Sequence, residues 1–468
     1  MHPWYWRSLP LDNRTGSDIF TALFSAEAIA TLLESPYPTL SDRPQLAQYS
    51  ICAGAPRTIN GTWQIGTPPI GKVLPFLRQL IAPSASIQQV FEQTDYPQHL
   101  PFTGGWLGWL GYDLAWEIEK LPQLKPDPLP FPVAFWYEPE CFAVLDRLNQ
   151  TLWLAASQPS QLDTLQTKLT PPTSPTSPAP PTSPTPPTPP APPTLFLTSQ
   201  FDYETAVRRA KKYIQAGDIF QANLSVRFET QTTADSWQIY RALQQINPSP
   251  FASYWRSPWG DVVSCSPERL VKLQNGIAET RPIAGTRARG TTPEQDRQLA
   301  QEMLSNAKER SEHIMLVDLE RNDLGKVCKF GSVNVDQLLA IERYSHVMHL
   351  VSNVTGTLRS DLRAIDLISA MFPGGTITGC PKVRCMEIIA ELEPYRRNLF
   401  YGSCGYLDWR GGLDLNILIR TLLVLPTNTP DKSVWGQVGA GIVADSDPET
   451  EWYESLQKAQ AQLAALRF

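Results

Sequence analysis

Glu309 and Glu312 stand three residues apart, and Glu451 and Glu454 repeat that spacing much further along the chain. In a helix, such spacing sets both carboxylates of a pair on one face. Two faces of this kind brought together offer hard oxygen ligands while leaving coordination positions open, which is how Mg2+ is commonly held against an anionic substrate. Each pair taken alone is equally a solvated helix face. The segments around the pairs decide between these readings.

Periodicity predicts the elements that would carry these residues. A long helix is expected over Pro293–Leu316, with Leu299, Met303, Ala307 and Ile314 on its apolar stripe and Glu309 and Glu312 projecting from the other side. Tyr203–Ala216 forms a second amphipathic pattern, with Tyr203, Val207, Ala210 and Ile214 on one stripe and the basic residues Arg208, Arg209, Lys211 and Lys212 on a solvated face. Gly217 and Asp218 stop that helix, and Ile219–Phe228 follows as a strand, with further strands around Phe251–Tyr254 and Asp261–Ser264. Between Phe102 and Pro122, four glycines (Gly104, Gly105, Gly108 and Gly111) sit among aromatic residues. Glycine in such a strand pattern marks close backbone approach, and the spacing does not fit a dinucleotide loop.

With 468 residues the chain can bury a large core and divide into two or three domains. Its formal net charge of −6, with no long basic block, argues against nucleic acid as a partner. Seven cysteines without a CxxC pair suit a reducing compartment and speak against structural zinc. No signal-peptide pattern and no run of roughly 20 apolar residues is present, so a soluble cytoplasmic protein is expected, with no membrane partner. Residues 171–194 are almost purely Pro, Thr, Ser and Ala, a composition that favours extended polyproline II at about 3.1 Å per residue. This predicts an N-terminal region over 1–156, a linker over 157–197 and a catalytic domain over 198–468. The linker should act as a spacer whose loss leaves the chemistry intact, a docking ligand for an SH3-like partner being the alternative.

Six segments then occur in order: SPERL (Ser266–Leu270), TRPIAGTRARG (Thr280–Gly290), NAKERSEHIMLVDLERNDLGKV (Asn306–Val327), YSHVMHLVSNVTG (Tyr344–Gly356), FPGGTITGCPKVRCMEIIAELEP (Phe372–Pro394) and GAGIVADSDPETEWYES (Gly439–Ser455). In this order they resemble the chorismate-binding enzymes, which include anthranilate synthase component I, aminodeoxychorismate synthase component I and the isochorismate and salicylate synthases. The likeness is detailed over residues 200–466 and looser over 1–155. It implies an α+β fold of two large antiparallel sheets packed as a sandwich with flanking helices, the two halves of the chain intermingled. It also implies Mg2+ bound by Glu312 and Glu454, with Glu309 and Glu451 beside them. Such an ion would neutralise the substrate dianion and draw electrons from its ring.

By motif position, Arg420 and Lys458 would meet the second substrate carboxylate, with the backbone of Gly439, Ala440 and Gly441 close by. A surface salt bridge for Arg420 and a solvated helix position for Lys458 are the structural alternatives. Glu268 matches the general acid that protonates the departing C4 hydroxyl. That role at neutral pH requires burial to raise its pKa. His349 matches a residue that orients substrate or aids proton transfer, and Thr376 a substrate-contacting hydroxyl. The turn Gly374–Lys382 is not a phosphate loop, because Cys380 and Pro381 replace the lysine and hydroxyl such a loop needs. Cys404 reads as a strand residue.

Two positions bear on the product. Gln221 stands where isochorismate and salicylate synthases carry a water-activating lysine, which implies that ammonia is used instead. Ala284 stands where aminodeoxychorismate synthases usually carry a nucleophilic lysine that adds to C2. Without it, ammonia attacks C2 itself, and elimination of pyruvate gives anthranilate. Gln221–Leu224, PGGTITG and Asp414–Thr421 look more like aminodeoxychorismate synthases, whereas RPIAGTR and YSHVMH look more like anthranilate synthases. The missing lysine weighs most because it concerns the bond-forming step. Leu33, Glu34 and Ser35, after Leu32, resemble a tryptophan-binding motif, the alternative being an ordinary helix end. No glutaminase GxCxGxQ segment occurs, so the resemblance implies ammonia from a separate glutamine amidotransferase chain. An inactive tryptophan-sensing relative would lack the glutamates, which are all present. A metal-dependent hydrolase would show HxD or DxD ligands, and none stands out.

Overall fold

The computed structural model describes residues 4–35, 44–81, 96–170, 194–344 and 347–467. Short apolar runs bounded by turns become strands of two large sheets, all of whose pairings are antiparallel. In the first sheet, Ala30–Glu34 pairs with Phe251–Ser257, and the order continues through Gly260–Ser266, Thr421–Pro426 and Lys432–Ile442 to Gln221–Thr232. In the second, Ile283–Ala288, Val347–Thr357, Ile277–Thr280 and Arg269–Gln274 lead through Leu413–Asn416 to Ser403–Asp408 and Gly105–Leu110. The fold is the expected α+β sandwich. Trp109 of one sheet meets Trp255 of the other with ring centroids 5.9 Å apart, inside one core that draws on both sheets. A second core lies under the helices that cover the first sheet.

Segments from before and after the proline-rich stretch share both sheets, as the pairings of Ala30–Glu34 with Phe251–Ser257 and of Gly105–Leu110 with Ser403–Asp408 show. Part of the predicted linker is ordered structure. Pro159–Leu169 is a helix that buries Leu162 and Leu165, and Thr194–Phe196 pairs with the strand Gln221–Thr232. Residues 171–193 lie outside the described residues.

The predicted helix over Pro293–Leu316 is two helices, Pro293–Ser305 and Ala307–Gly325. Asn306 leaves the helical region, and its side chain accepts a hydrogen bond from the Glu309 N–H at 3.1 Å. It thus ends one helix and caps the next. The cap fixes the first turn of the helix that carries Glu309 and Glu312. Their partners sit on Pro448–Ala464, capped by Asp447. Leu33 and Glu34 belong to the strand Ala30–Glu34, not to a helix end.

Candidate active site

Glu268 enters the strand Arg269–Gln274 and is 5% exposed. Burial pushes its carboxyl up to about 8, and the nearby Glu320 adds to the shift. The Thr376 side chain and the Ile283 backbone N–H oppose it. At neutral pH the group therefore holds its proton. The Thr376 Oγ1 that faces it is buried and makes no well-directed hydrogen bond among the described residues. Glu320 is itself buried and pushed up to about 7, chiefly by desolvation. Its hydrogen bonds with Thr280 and the Gly375 backbone tie the glycine-rich turn to the helix Ala307–Gly325.

The strand Ile283–Ala288 departs from regular register between Ala284 and Thr286, where Gly285 takes φ +76°. Such irregularities re-aim side chains. Ala284 pairs with Leu350, and Thr286 with His349. His349 is 7% exposed, its Nδ1 lies 2.9 Å from Thr286 Oγ1, and the Gly285 backbone also hydrogen-bonds to it. Burial, reinforced by the Arg420 charge, pulls its pKa down to about 4 and leaves a neutral imidazole.

Arg420 follows at φ +52°, a conformation in which a residue of its size is strained. Its guanidinium is desolvated and acts on the Tyr401 hydroxyl, and no carboxylate pairs with it among the described residues. The surface salt bridge considered for it is therefore absent there. A desolvated guanidinium without a carboxylate partner among the described residues has the chemistry to receive an anion. Tyr401, also left-handed at φ +64°, completes this wall. A Cβ added at Gly439 would lie 2.9 Å from the Tyr401 hydroxyl, and one at Gly441 would lie 2.4 Å from Gln221 Nε2. With Ala440 between them, these glycines clear room for neighbouring side chains. Gln221 Oε1 and Asn223 Oδ1 are buried there without hydrogen-bond partners among the described residues.

The four glutamates form the remaining wall. A Cβ at Gly285 would lie 3.0 Å from Glu309 Oε2, a buried oxygen with no hydrogen-bond partner among the described residues. Burial raises the Glu312 pKa; Lys308 opposes this, and the carboxylates of Glu309, Glu451 and Glu454 reinforce it. Glu451 is raised likewise by burial and by Glu454. The two helices thus aim four carboxylates at a common region. Among the described residues, however, no three His, Cys, Asp or Glu side chains close into a metal cluster. Lys458, expected to meet substrate, instead bonds Glu454 Oε1 at 2.8 Å and the Gly439 carbonyl at 2.9 Å. The orphaned Glu309 oxygen and the mutual repulsion of the carboxylates fit a hard divalent cation.

Leu33, Glu34 and Ser35 lie apart from this site, on a cavity of about 120 Å³ between the two sheets. The Glu34 carboxylate is already occupied by Ser17, Tyr240 and Gln244 on the helical side. The buried Ser35 hydroxyl is unpartnered among the described residues. Asn223, Glu320 and Tyr401 were missed from sequence. Only Asn223 carried a signal, as a member of the Gln221–Leu224 motif, because the other two join the site through contacts far apart in the chain.

Among the described residues, no helix is long and apolar enough to cross a membrane. Residues 60–464 match the family described as chorismate binding enzyme. A Synechocystis sp. protein named anthranilate synthase component I-like protein is 60% identical over 468 residues, covering 100% of this chain and 92% of its own length. Aminodeoxychorismate synthase component 1 of Bacillus subtilis is 44% identical over 368 residues, which span 78% of this chain and 77% of that protein. The crystal structure of anthranilate synthase component I from Streptococcus pneumoniae TIGR4 superposes with a TM-score of 0.74 at 32% identity, over 89% of this chain and 92% of that one. With its fold, its buried acid and these matches, the chain belongs to the chorismate-binding enzymes.

Proposed function

We propose that the chain aminates chorismate with ammonia in a Mg2+-dependent reaction, giving anthranilate and pyruvate. The observation that carries this reading is Glu268, a carboxyl held protonated at neutral pH between Thr376 and the strand that bears Ala284. The acid would donate its proton to the C4 oxygen as that bond breaks. Arg420 and the Tyr401 hydroxyl would hold a substrate carboxylate, and neutral His349 would orient the ring. Gln221 provides no base to activate water, which leaves ammonia as the nucleophile. Mg2+ held by Glu312 and Glu454, with Glu309 and Glu451 in support, would supply charge neutralisation at the ring carboxylate. Once ammonia has added at C2 and the C4 hydroxyl has left, loss of the C2 proton and of the enolpyruvyl group, which takes up a proton to become pyruvate, makes the ring aromatic.

The ammonia source in this reading is a glutamine amidotransferase partner, with free ammonium as a substitute. The cavity beside Leu33 and Ser35 would take tryptophan. A second product, 4-amino-4-deoxychorismate, is favoured by the 44% identity to an aminodeoxychorismate synthase. Incubating the purified chain with chorismate, Mg2+ and ammonium separates the two. Fluorescent anthranilate formed unaided supports the first. p-Aminobenzoate formed only after adding a lyase supports the second.

A further inference from the structure

Three of the four glutamates are each engaged by a cation of this chain. Arg287 pairs with Glu309, Lys308 lies 3.8 Å from Glu312, and Lys458 lies 2.8 Å from Glu454. These cations come from three different elements. Arg287 sits on the irregular strand Ile283–Ala288, Lys308 on the first turn of the Glu312 helix, and Lys458 one turn beyond Glu454. Lys458 and, across the gap, Lys308 both act on Glu451, which forms no ion pair of its own among the described residues. Four carboxylates aimed at one region repel one another, and unless something neutralises them the two helices are pushed apart.

We propose that Arg287, Lys308 and Lys458 are exchangeable counter-ions that neutralise the glutamates until a divalent cation binds, and that they thereby set its affinity. The ion pairs suit exchange. All three are partly open to water, with the Lys308 and Glu312 side chains 55% and 31% exposed, and open pairs are weak and easily replaced. A buried, fully satisfied pair would resist displacement. The absence of a closed cluster among the described residues agrees with this, since Glu309, Glu312 and Glu454 are each held in an ion pair of their own. Lys458 is bonded to the Gly439 carbonyl as well, so its release would also free a backbone acceptor on the strand that faces Gln221.

The inference rests on the metal reading above, and its test separates the two. Mn2+ binding to the full chain without substrate is measured by isothermal titration calorimetry and by loss of the free-ion electron paramagnetic resonance signal. Lys308→Met removes one counter-ion from an exposed position and should tighten Mn2+ binding by about two- to fivefold, the fold-range of a surface ion pair. Lys308→Arg should bind as the parent does. Arg310→Met removes the same charge from an exposed site on the same helix and should change binding by less than about twofold. Glu312→Gln should abolish binding. Equal or weaker binding by Lys308→Met, or equal tightening by Arg310→Met, would overturn the counter-ion role while leaving the metal site standing. Failure of the parent chain to bind Mn2+ would overturn both.

Discussion

His349 Nδ1 lies 2.9 Å from the Thr286 hydroxyl, across the ladder where the strand Ile283–Ala288 loses regular register. The irregularity at Gly285 turns Thr286 toward the ring, and the contact fixes which ring nitrogen faces the site. Thr286→Val should lower kcat by about tenfold with KM little changed, whereas His349→Ala should lower it by about a hundredfold or more. Steady-state kinetics on chorismate check both. Unaltered turnover in Thr286→Val would remove the orienting role.

The Glu268 carboxyl makes a prediction with two readouts. Its pKa is raised from 4.5 to about 8 by burial, so the folded state binds a proton that the unfolded chain releases. The resulting stability is fully present below about pH 4.5 and is lost as pH rises through about 8. Glu268→Gln should therefore be more stable than the parent at pH 9, by an amount on the order of a few kcal/mol, and little different at pH 4.5. The same variant should lose turnover by about a hundredfold or more. Denaturant melts at the two pH values test the first claim. A parent enzyme with undiminished turnover at pH 9 would contradict a protonated acid.

Glu454→Ala removes a carboxylate that the Mg2+ reading needs, and turnover should fall below detection even in excess Mg2+. Because the Glu454 side chain is half exposed, the variant should unfold within about 1 kcal/mol of the parent. Activity retained at high Mg2+ would refute the ligand role.

Ala284 is partly buried and pairs with Leu350. A lysine there must carry its ammonium at a partly buried strand position opposite Leu350, which penalises the charge. Ala284→Lys should not by itself redirect the product, and chromatography of the reaction mixture decides. Aminodeoxychorismate accumulating from that single variant would overturn the expectation.

Much of this architecture was legible in the residues. The i,i+3 glutamates fall on helices because caps and apolar stripes are local signals, whereas burial of Glu268 was expected only from the acid role that the resemblance implies. The break at Asn306 was missed because the apolar stripe runs across it, although Asn three residues before Glu309 is a capping pattern. The helix end considered as the alternative for Leu33–Ser35 had no local mark against it, and the pairing of Ala30–Glu34 with Phe251–Ser257 makes Leu33 and Glu34 strand residues. The ion pair of Arg287 with Glu309 and the pairing of Tyr401 with Arg420 depend on sheet register and on left-handed residues other than glycine. Neither feature is written in a short window of sequence.

The central claim is that two distant pairs of glutamates hold a divalent cation against chorismate while Glu268 protonates the leaving oxygen. The most direct measurement follows chorismate loss by absorbance in ammonium and Mg2+, then after EDTA, then after Mg2+ is restored. Consumption should proceed, stop with the chelator and resume with the metal, and Glu268→Gln should show none throughout. Chorismate consumed at an unchanged rate in EDTA, or by Glu268→Gln as fast as by the parent, would contradict it.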